Sequence, residues 1–288
     1  MCIRDSPHNM GSSSAYPVDS LRSATFTKKY GTSPSIMDYA RFNYVAQPGD
    51  EGVALMPSQW NTPNVGVYDI YSVKWGYKPI LDVSVEEEKS ILKSWIMEKA
   101  NDLKYRFGSA GIDPSSQTED LGDDAVKASE YGIANLKRIM PKLMEWTTKD
   151  GETYNELGYM YGQVLGQFGR YMGHVSNNIG GIYQYYKTSD QDGAVYTHVK
   201  KSRQQNCMNF LHSQLFETPK WMINKEILNK IEFAGITNRI RSTQSRTLNS
   251  LLDFGKMARL IENEAINGKN AYSLIEMMTD LRKGIFNE

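Results

Sequence analysis

Residues 33–41, SPSIMDYAR, place a methionine inside a turn that is rich in serine and proline. Turn positions are normally filled by Gly, Pro, Asn, Asp or Ser, each for a stereochemical reason. The apolar side chain of Met37 is therefore expected to lie beneath another group. A second short stretch, PHNMG at residues 7–11, carries His8 in an equally loop-like setting. A loop histidine and a core methionine are ordinary when taken singly, so the two stretches have to be interpreted as a pair.

The sequence changes character near residue 84. Up to residue 83 it is rich in Pro, Gly, Asn, Ser and Tyr, a composition that predicts turns and short strands with little helix. From Ser84 onward apolar residues recur at helical spacing, and Ser84 and Glu87 have the spacing of a capping box. The predicted fold is mainly α, with a loop-rich region at 7–83 followed by a multi-helix, bundle-like region at 84–288.

Helix boundaries in the second region follow from apolar periodicity and from capping residues. Pro141 is expected to kink or end the second helix, and Thr218 followed by Pro219 predicts the start of another. The second predicted helix is capped by Asp123 or Asp124, and its apolar stripe runs from Val126 to Leu143. The other predicted helical segments are 84–108, 154–183, 201–216, 219–233, 237–254, 255–267 and 270–283.

The third predicted helix contains an unusual row of glycines. Each glycine in a helix interior costs about 1 kcal/mol relative to alanine. The favoured interpretation is that the row permits a close approach by a neighbouring helix, and the alternative is a ligand groove. The five glycines are Gly158, Gly162, Gly166, Gly169 and Gly173.

Composition excludes several classes of function. Thirty-three basic and 33 acidic side chains balance, so no general attraction to nucleic acid or to an anionic membrane is expected. No apolar run approaches the roughly 18 residues that a transmembrane helix needs. The acidic loop 113–124 lacks EF-hand spacing, so a solvated turn is favoured there over a calcium site.

The first six residues, MCIRDS, are expected to be a sequencing-adapter artefact, because they match the reading-frame translation of a library transposon end. They lack the length and the apolar segment of a signal peptide. The natural sequence is then expected to begin at about Pro7, which makes the chain an N-terminally truncated fragment. Since Cys2 belongs to this segment, Cys207 is the single cysteine of the remaining sequence. We expect it to be buried and unreactive.

Zinc ligation cannot be completed from the histidines of this sequence alone. No H-E-x-x-H motif occurs, and no two histidines are spaced i, i+4, the arrangement that places two ligands on one helical face. We expect each of His174, His198 and His212 to be an ordinary partly buried or surface histidine rather than a metal ligand. The four histidines are His8, His174, His198 and His212.

PHNMG followed by SIMDYARFNYVAQPGD resembles the metzincin zinc metalloproteases, and most of all a group of bacterial envelope metalloproteases that share a Met-zincin domain. The likeness extends to the end of the chain, through SSSAYPVDSLRS, TEDLGDDAVKASEYGIANLKR, HVSNNIGGIY and LLDFGKMARLIENE. The family's zinc motif is H-E-x-x-H-x-x-G-x-x-H, followed by a Met-turn. By this resemblance residues 7–83 are the C-terminal part of a catalytic domain, and 84–288 form a helical region.

The resemblance implies a role for three residues. His8 matches the third histidine of the motif and would bind Zn²⁺ through a neutral imidazole nitrogen. Met37 would lie beneath the ligand histidines as an apolar floor. Tyr39 follows two residues later, as in the S-x-M-x-Y turns of astacin-like and serralysin-like relatives, and is a candidate for stabilising the transition state.

The implied function is hydrolysis of peptide bonds in peptide or protein substrates by a zinc-activated water. The first two histidines and the general-base glutamate are not in this sequence, so the chain alone is expected to be inactive. Family likeness also implies an extracytoplasmic location, such as the periplasm, the cell envelope or the medium. The alternative from another functional class is a non-catalytic helical binding or scaffold module.

Overall fold

The computed structural model describes residues 7–40, 42–56, 65–232 and 234–286. Within these ranges the chain forms eleven α-helices and two short strands, which confirms the prediction of a mainly α fold. The expected artefact at residues 1–6 and the predicted helix end at Phe233 lie outside the described residues. No helix in the described ranges is both long enough and apolar enough to cross a bilayer.

The chain divides into two compact units. The first contains residues up to Ala128 together with Tyr183–Thr197, and the second contains Ser129–Ile182 and residues from His198 onward. The predicted division at residues 83 and 84, which concerns the family's catalytic domain, remains a prediction.

The described part of the first unit contains three α-helices and the beginning of a fourth. Two short strands pair with each other. The helices and strands are α1 (Ala24–Tyr30), α2 (Val67–Tyr77), α3 (Val85–Lys99), α4 (Ala125–Ile139), β1 (Ile182–Gln184) and β2 (Tyr196–His198).

The sequence predicted little helix before residue 84, but helix α2 lies in this region. Among its side chains only Asp69 is buried, so the helix has no buried apolar face, and the periodicity that signals a helix is weak. Its start is stabilised locally, because the Asp69 carboxylate accepts the Gly66 N–H at 3.0 Å.

Helix α3 begins as predicted. Glu87 accepts the Ser84 N–H at 2.7 Å, and the Ser84 hydroxyl accepts the Glu87 N–H at 3.2 Å, which completes the capping box. The helix ends at Lys99, before the expected residue 108, because Asp102 caps a separate 3₁₀ turn at Leu103–Tyr105. None of its side chains is buried, so its apolar positions do not contribute to the core of this unit.

The second unit is built around the glycine-bearing helix, which packs against four of its neighbours: α5, α7, α8 and α9. The predicted break at Pro141 is confirmed, since a 3₁₀ turn at Met140–Lys142 separates α4 from the next helix. The remaining helices are α5 (Leu143–Thr147), α6 (Asn155–Ser176), α7 (Lys201–Leu211), α8 (Lys225–Ile231), α9 (Ile236–Leu251), α10 (Phe254–Asn267) and α11 (Leu274–Phe286).

Two predicted helix boundaries in this unit differ from the structure by six residues or more. Thr218 and Pro219 precede only a 3₁₀ turn, and α8 begins six residues after Pro219 at Lys225. Asn224 caps α8 instead, because its side-chain oxygen accepts two backbone N–H groups at 3.0 and 3.2 Å. Helix α6 ends at Ser176 rather than at residue 183, and the chain turns at Gly180, where φ is +65°, a conformation that favours glycine.

The glycine row of α6 makes the predicted close packing at two of its five positions. A Cβ built at Gly158 or at Gly169 would lie 3.7 Å from a side chain of α8 or of α9, respectively. At Gly162, Gly166 and Gly173 a Cβ would meet no atom within 4 Å outside its own helix among the described residues. The glycines at 162, 166 and 169 border a cleft of about 340 Å³ that is lined on its other side by α9, so the alternative interpretation, a groove, describes this part of the row.

Replacing groove glycines by alanine is expected to stabilise the fold. Gly162→Ala and Gly166→Ala should each raise the free energy of unfolding by about 0.5–1 kcal/mol, because the methyl group meets no atom and alanine favours the helix. The matched control is Gly132→Ala in α4, whose Cβ would lie 2.4 Å from the Tyr171 ring, so it should destabilise. Urea unfolding measures all three, and destabilisation by the groove variants would contradict the open groove.

A buried lysine caps the C-terminal end of α6. Lys256 of α10 is 5% exposed, and its ammonium donates to the Ser176 carbonyl at 2.8 Å. Burial, and to a smaller degree the nearby Arg259 guanidinium, lowers the pKa of Lys256 to about 8, against the opposing effects of Asp253 and Cys207. The folded chain therefore loses this proton at a lower pH than the unfolded chain does.

This difference predicts a pH-dependent stability. Between the folded pKa of about 8 and the usual 10.5, the unfolded state binds more protons, so stability rises with pH. The free energy of unfolding of the protein, relative to that of Lys256→Met, should rise by about 3 kcal/mol across this interval. Lys269→Met, which replaces an exposed lysine, is the matched control. If the difference in free energy of unfolding between the protein and Lys256→Met did not change with pH, the Lys256 ammonium would not be desolvated in the folded state.

Candidate metal centre

His8 occupies a half-buried position in the first unit. Its Nε2 atom is buried and has no hydrogen-bond partner among the described residues. Its ring lies against the Tyr39 ring, with the centroids 4.6 Å apart and the planes tilted by 41°. Buried polar atoms are normally paired, so this nitrogen is available for a ligand that the described residues do not supply.

Asn9 joins the His8 segment to its surroundings and is completely buried. Its N–H donates to the Met37 carbonyl at 3.1 Å. Its side-chain amide donates to the Arg106 carbonyl at 2.9 Å and accepts the Gly108 N–H at 2.9 Å. The first of these hydrogen bonds holds the backbone beside His8 against the turn that contains Met37, and the other two hold it against the segment from Arg106 to Gly108.

The turn is held from its other side by Asp69 of α2. The Asp69 carboxylate accepts the Ser35 hydroxyl at 2.6 Å and the Ile36 N–H at 2.9 Å. Ser35 in turn accepts the Met37 N–H at 3.0 Å. The approach of α2 is very close, because a Cβ at Gly66 would lie 1.7 Å from the Pro34 carbonyl oxygen, so this position requires glycine.

The structure brings the three predicted site residues together. Met37 is half-buried and accepts the hydrogen bond from the residue that follows His8. Tyr39 is 48% exposed, and no described residue forms a hydrogen bond with its phenol. Its hydroxyl is therefore free to interact with a ligand, while its ring packs on His8.

Two buried carboxylates lie beside the turn. Asp38 accepts the Ser13 N–H at 2.6 Å, and Asp120 accepts the Ser13 hydroxyl at 3.2 Å. Burial raises the pKa of Asp38 to about 7, although the N–H groups of Ser13, Ala40 and Ser12 oppose the shift. Burial and the nearby Asp38 raise the pKa of Asp120.

The acidic loop that contains Asp120 is not the solvated turn that its sequence favoured. Asp113, Glu119 and Asp120 are each at most 6% exposed. Asp113 forms an ion pair with Arg106, and Asp120 bonds to Ser13. Asp113 also accepts the Gln184 N–H at 2.8 Å. Two of these partners, Ser13 and Gln184, lie far from the loop in the sequence, so its composition does not reveal its burial.

The described residues fit one ligand position of a zinc site. His8 offers the required donor type and an unpaired nitrogen. No group of three His, Cys, Asp or Glu side chains in these ranges could hold a metal ion. His174, His198 and His212 belong to the second unit, and Cys207 is buried there in α7.

A comparison with protein families places the chain as a whole. A family model described as Met-zincin matches residues 7–288, which is nearly the whole chain. No curated protein and no solved structure matches it. The name of the family denotes zinc metallopeptidases with a Met-turn. The chain therefore belongs to the Met-zincin family.

Proposed function

We propose that the chain supplies the third zinc ligand and the Met-turn of a zinc-dependent endopeptidase. The observation that carries the proposal is the buried, unpaired Nε2 of His8, held beside Met37 by the Asn9 N–H. Family membership supports the metal and the reaction class. The substrate class is peptides and proteins.

Each residue has a separate task in this proposal. His8 binds the metal through Nε2, and Asn9 fixes the backbone of the His8 segment. Met37 forms the apolar floor beneath the ligand histidines. Tyr39 donates its phenolic proton in a hydrogen bond to the carbonyl oxygen of the scissile peptide as negative charge develops there. When bound, zinc supplies Lewis-acid polarisation of that carbonyl and an activated water.

The remaining ligands are proposed to come from an H-E-x-x-H-x-x-G segment ahead of Pro7 in the complete protein. The natural reading frame tests this directly, because the motif requires a glycine three residues before His8 and a histidine six residues before it. An in-frame sequence without these residues would contradict the peptidase proposal and would favour the alternative, a helical binding or scaffold module.

Activity provides the functional test. Protein with its natural upstream residues restored should cleave denatured casein, and a zinc chelator should abolish the cleavage. The chain of 288 residues should not cleave it in either condition, because it contains no H-E-x-x-H motif. Chelator-resistant cleavage by the restored protein would contradict a metal-dependent reaction.

We also propose an extracytoplasmic location, on the basis of family resemblance alone. Fractionation of cells that express the complete gene would test it. Recovery of the protein with the periplasm, envelope or medium supports the proposal, and recovery with the cytosol contradicts it.

A further inference from the structure

The first unit contains a second cleft, of about 540 Å³, a volume within the range of about 300–1,000 Å³ that is usual for ligand sites. Helix α2 forms one wall, and the end of α3 with the segment to Phe107 forms another. The chain from Tyr185 to Thr197 forms the third. We call it the aromatic cleft.

Aromatic side chains dominate the lining. Trp75 and Tyr186 are 43% and 54% exposed, so part of each ring remains open to a ligand. Ring contacts hold others in place, including Tyr71 on Tyr105 at 5.3 Å and Phe107 on Tyr186 at 5.6 Å. The aromatic lining residues are Tyr68, Tyr71, Trp75, Tyr105, Phe107, Tyr185 and Tyr186.

The charged groups of the lining already have partners. The Lys99 ammonium bonds to Glu98 at 2.6 Å, and the Lys187 ammonium donates to the Asp192 carbonyl at 2.6 Å. Arg106 pairs with Asp113. Asp102, the acidic lining residue, pairs with Lys104 at 3.2 Å. Each charged side chain of the lining is therefore engaged at least once, although the ammonium groups keep further donor positions and the Arg106 Nε has no hydrogen-bond partner among the described residues.

Four neutral polar groups of the lining have no side-chain hydrogen bond to a described residue. They are the phenols of Tyr68 and Tyr71, the amide of Asn101 and the hydroxyl of Thr197. Burial raises the pKa of Tyr68 to about 12, so its phenol stays protonated and can donate. A ligand that satisfies these four groups offers both donors and acceptors and needs no net charge.

We propose that the aromatic cleft binds a neutral oligosaccharide. The C–H faces of sugar rings match the open faces of Trp75 and Tyr186, and sugar hydroxyls match the unpaired phenol, amide and hydroxyl groups. Peptides can also dock on aromatic-lined grooves, so a peptide is a control in the test below. The cleft would bring the enzyme to glycan-rich material or to glycosylated substrates.

Calorimetric titration of the full chain tests the proposal. The probes are neutral hexasaccharides, namely cellohexaose, xylohexaose, maltohexaose, mannohexaose and laminarihexaose, each at millimolar concentration. Hexagalacturonate is the acidic control, and an uncharged hexapeptide with capped ends is the peptide control. At least one neutral hexasaccharide should bind, and both controls should not.

Variants then locate the binding. Trp75→Ala and Tyr186→Ala should each weaken the affinity about three- to tenfold, the effect of losing one aromatic contact. Trp146→Ala is the matched control, because Trp146 is also exposed, at 55%, and lies outside the cleft. Circular dichroism confirms that each variant is folded.

Three results would overturn the proposal. The first is that no neutral hexasaccharide binds. The second is that Trp75→Ala and Tyr186→Ala bind as tightly as Trp146→Ala does. The third is preferential binding of the acidic sugar or of the peptide, which would assign the cleft to another ligand class. None of these outcomes bears on His8 or on the proposed peptidase.

Discussion

His8→Ala is expected to lower kcat/KM for peptide cleavage at least about a thousandfold in protein with its natural upstream residues restored. A catalytic zinc site needs three protein ligands, and the metal contributes several kcal/mol of transition-state stabilisation. Removing one ligand from the metal is therefore expected to remove most of this contribution. Initial rates on a fluorogenic peptide, measured with matched zinc supplementation, give the ratio.

The matched control for this measurement is His198→Ala. His198 is also partly buried, and burial lowers its pKa, but it belongs to the second unit. Its replacement should leave kcat/KM within about twofold, the scatter expected for a site outside the catalytic group. Full activity of folded His8→Ala would show that His8 is not a zinc ligand.

Asp69→Ala is expected to lower the free energy of unfolding by about 3–5 kcal/mol. The 7% exposed carboxylate accepts three donors, namely the Ser35 hydroxyl and the N–H groups of Ile36 and Gly66. Alanine would leave all three donors without this acceptor and would release the turn that contains Met37. Asp69→Asn keeps one acceptor oxygen, so it should lower the free energy of unfolding less than Asp69→Ala does. Urea unfolding monitored by circular dichroism measures the difference.

Glu87→Ala provides the control for the helix cap. Glu87 holds the same capping-box position in α3 that Asp69 holds in α2, but it is exposed. If Glu87→Ala lowers the free energy of unfolding much less than Asp69→Ala does, the loss at Asp69 comes from the buried turn rather than from the start of the helix. Equal losses at the two positions would contradict that assignment.

Local signals in the sequence predicted several features of the fold correctly. The capping box of Ser84 and Glu87 and the break at Pro141 depend on neighbouring residues alone. Helix α2 was missed because it buries no apolar face. The packing role of the glycine row in α6 was predicted only in part. Regular spacing does not show which glycines a neighbouring helix contacts, and only the tertiary structure shows that α9 leaves a cleft beside part of the row.

Some residues of the candidate site could be predicted from the sequence and others could not. His8, Met37 and Tyr39 follow from short motifs and from the family that those motifs resemble. Asn9 and Asp69 could not be assigned from the sequence, because their partners lie up to 99 residues away. A hydrogen bond of this kind depends on tertiary geometry and leaves no local spacing pattern.

Zinc-edge X-ray absorption on the restored protein tests the central claim most directly. The account predicts three imidazole nitrogens at about 2.0–2.1 Å from the metal, and two in His8→Ala prepared with the same zinc content. A first coordination sphere that is identical in the two proteins would contradict the assignment of His8 as the third ligand.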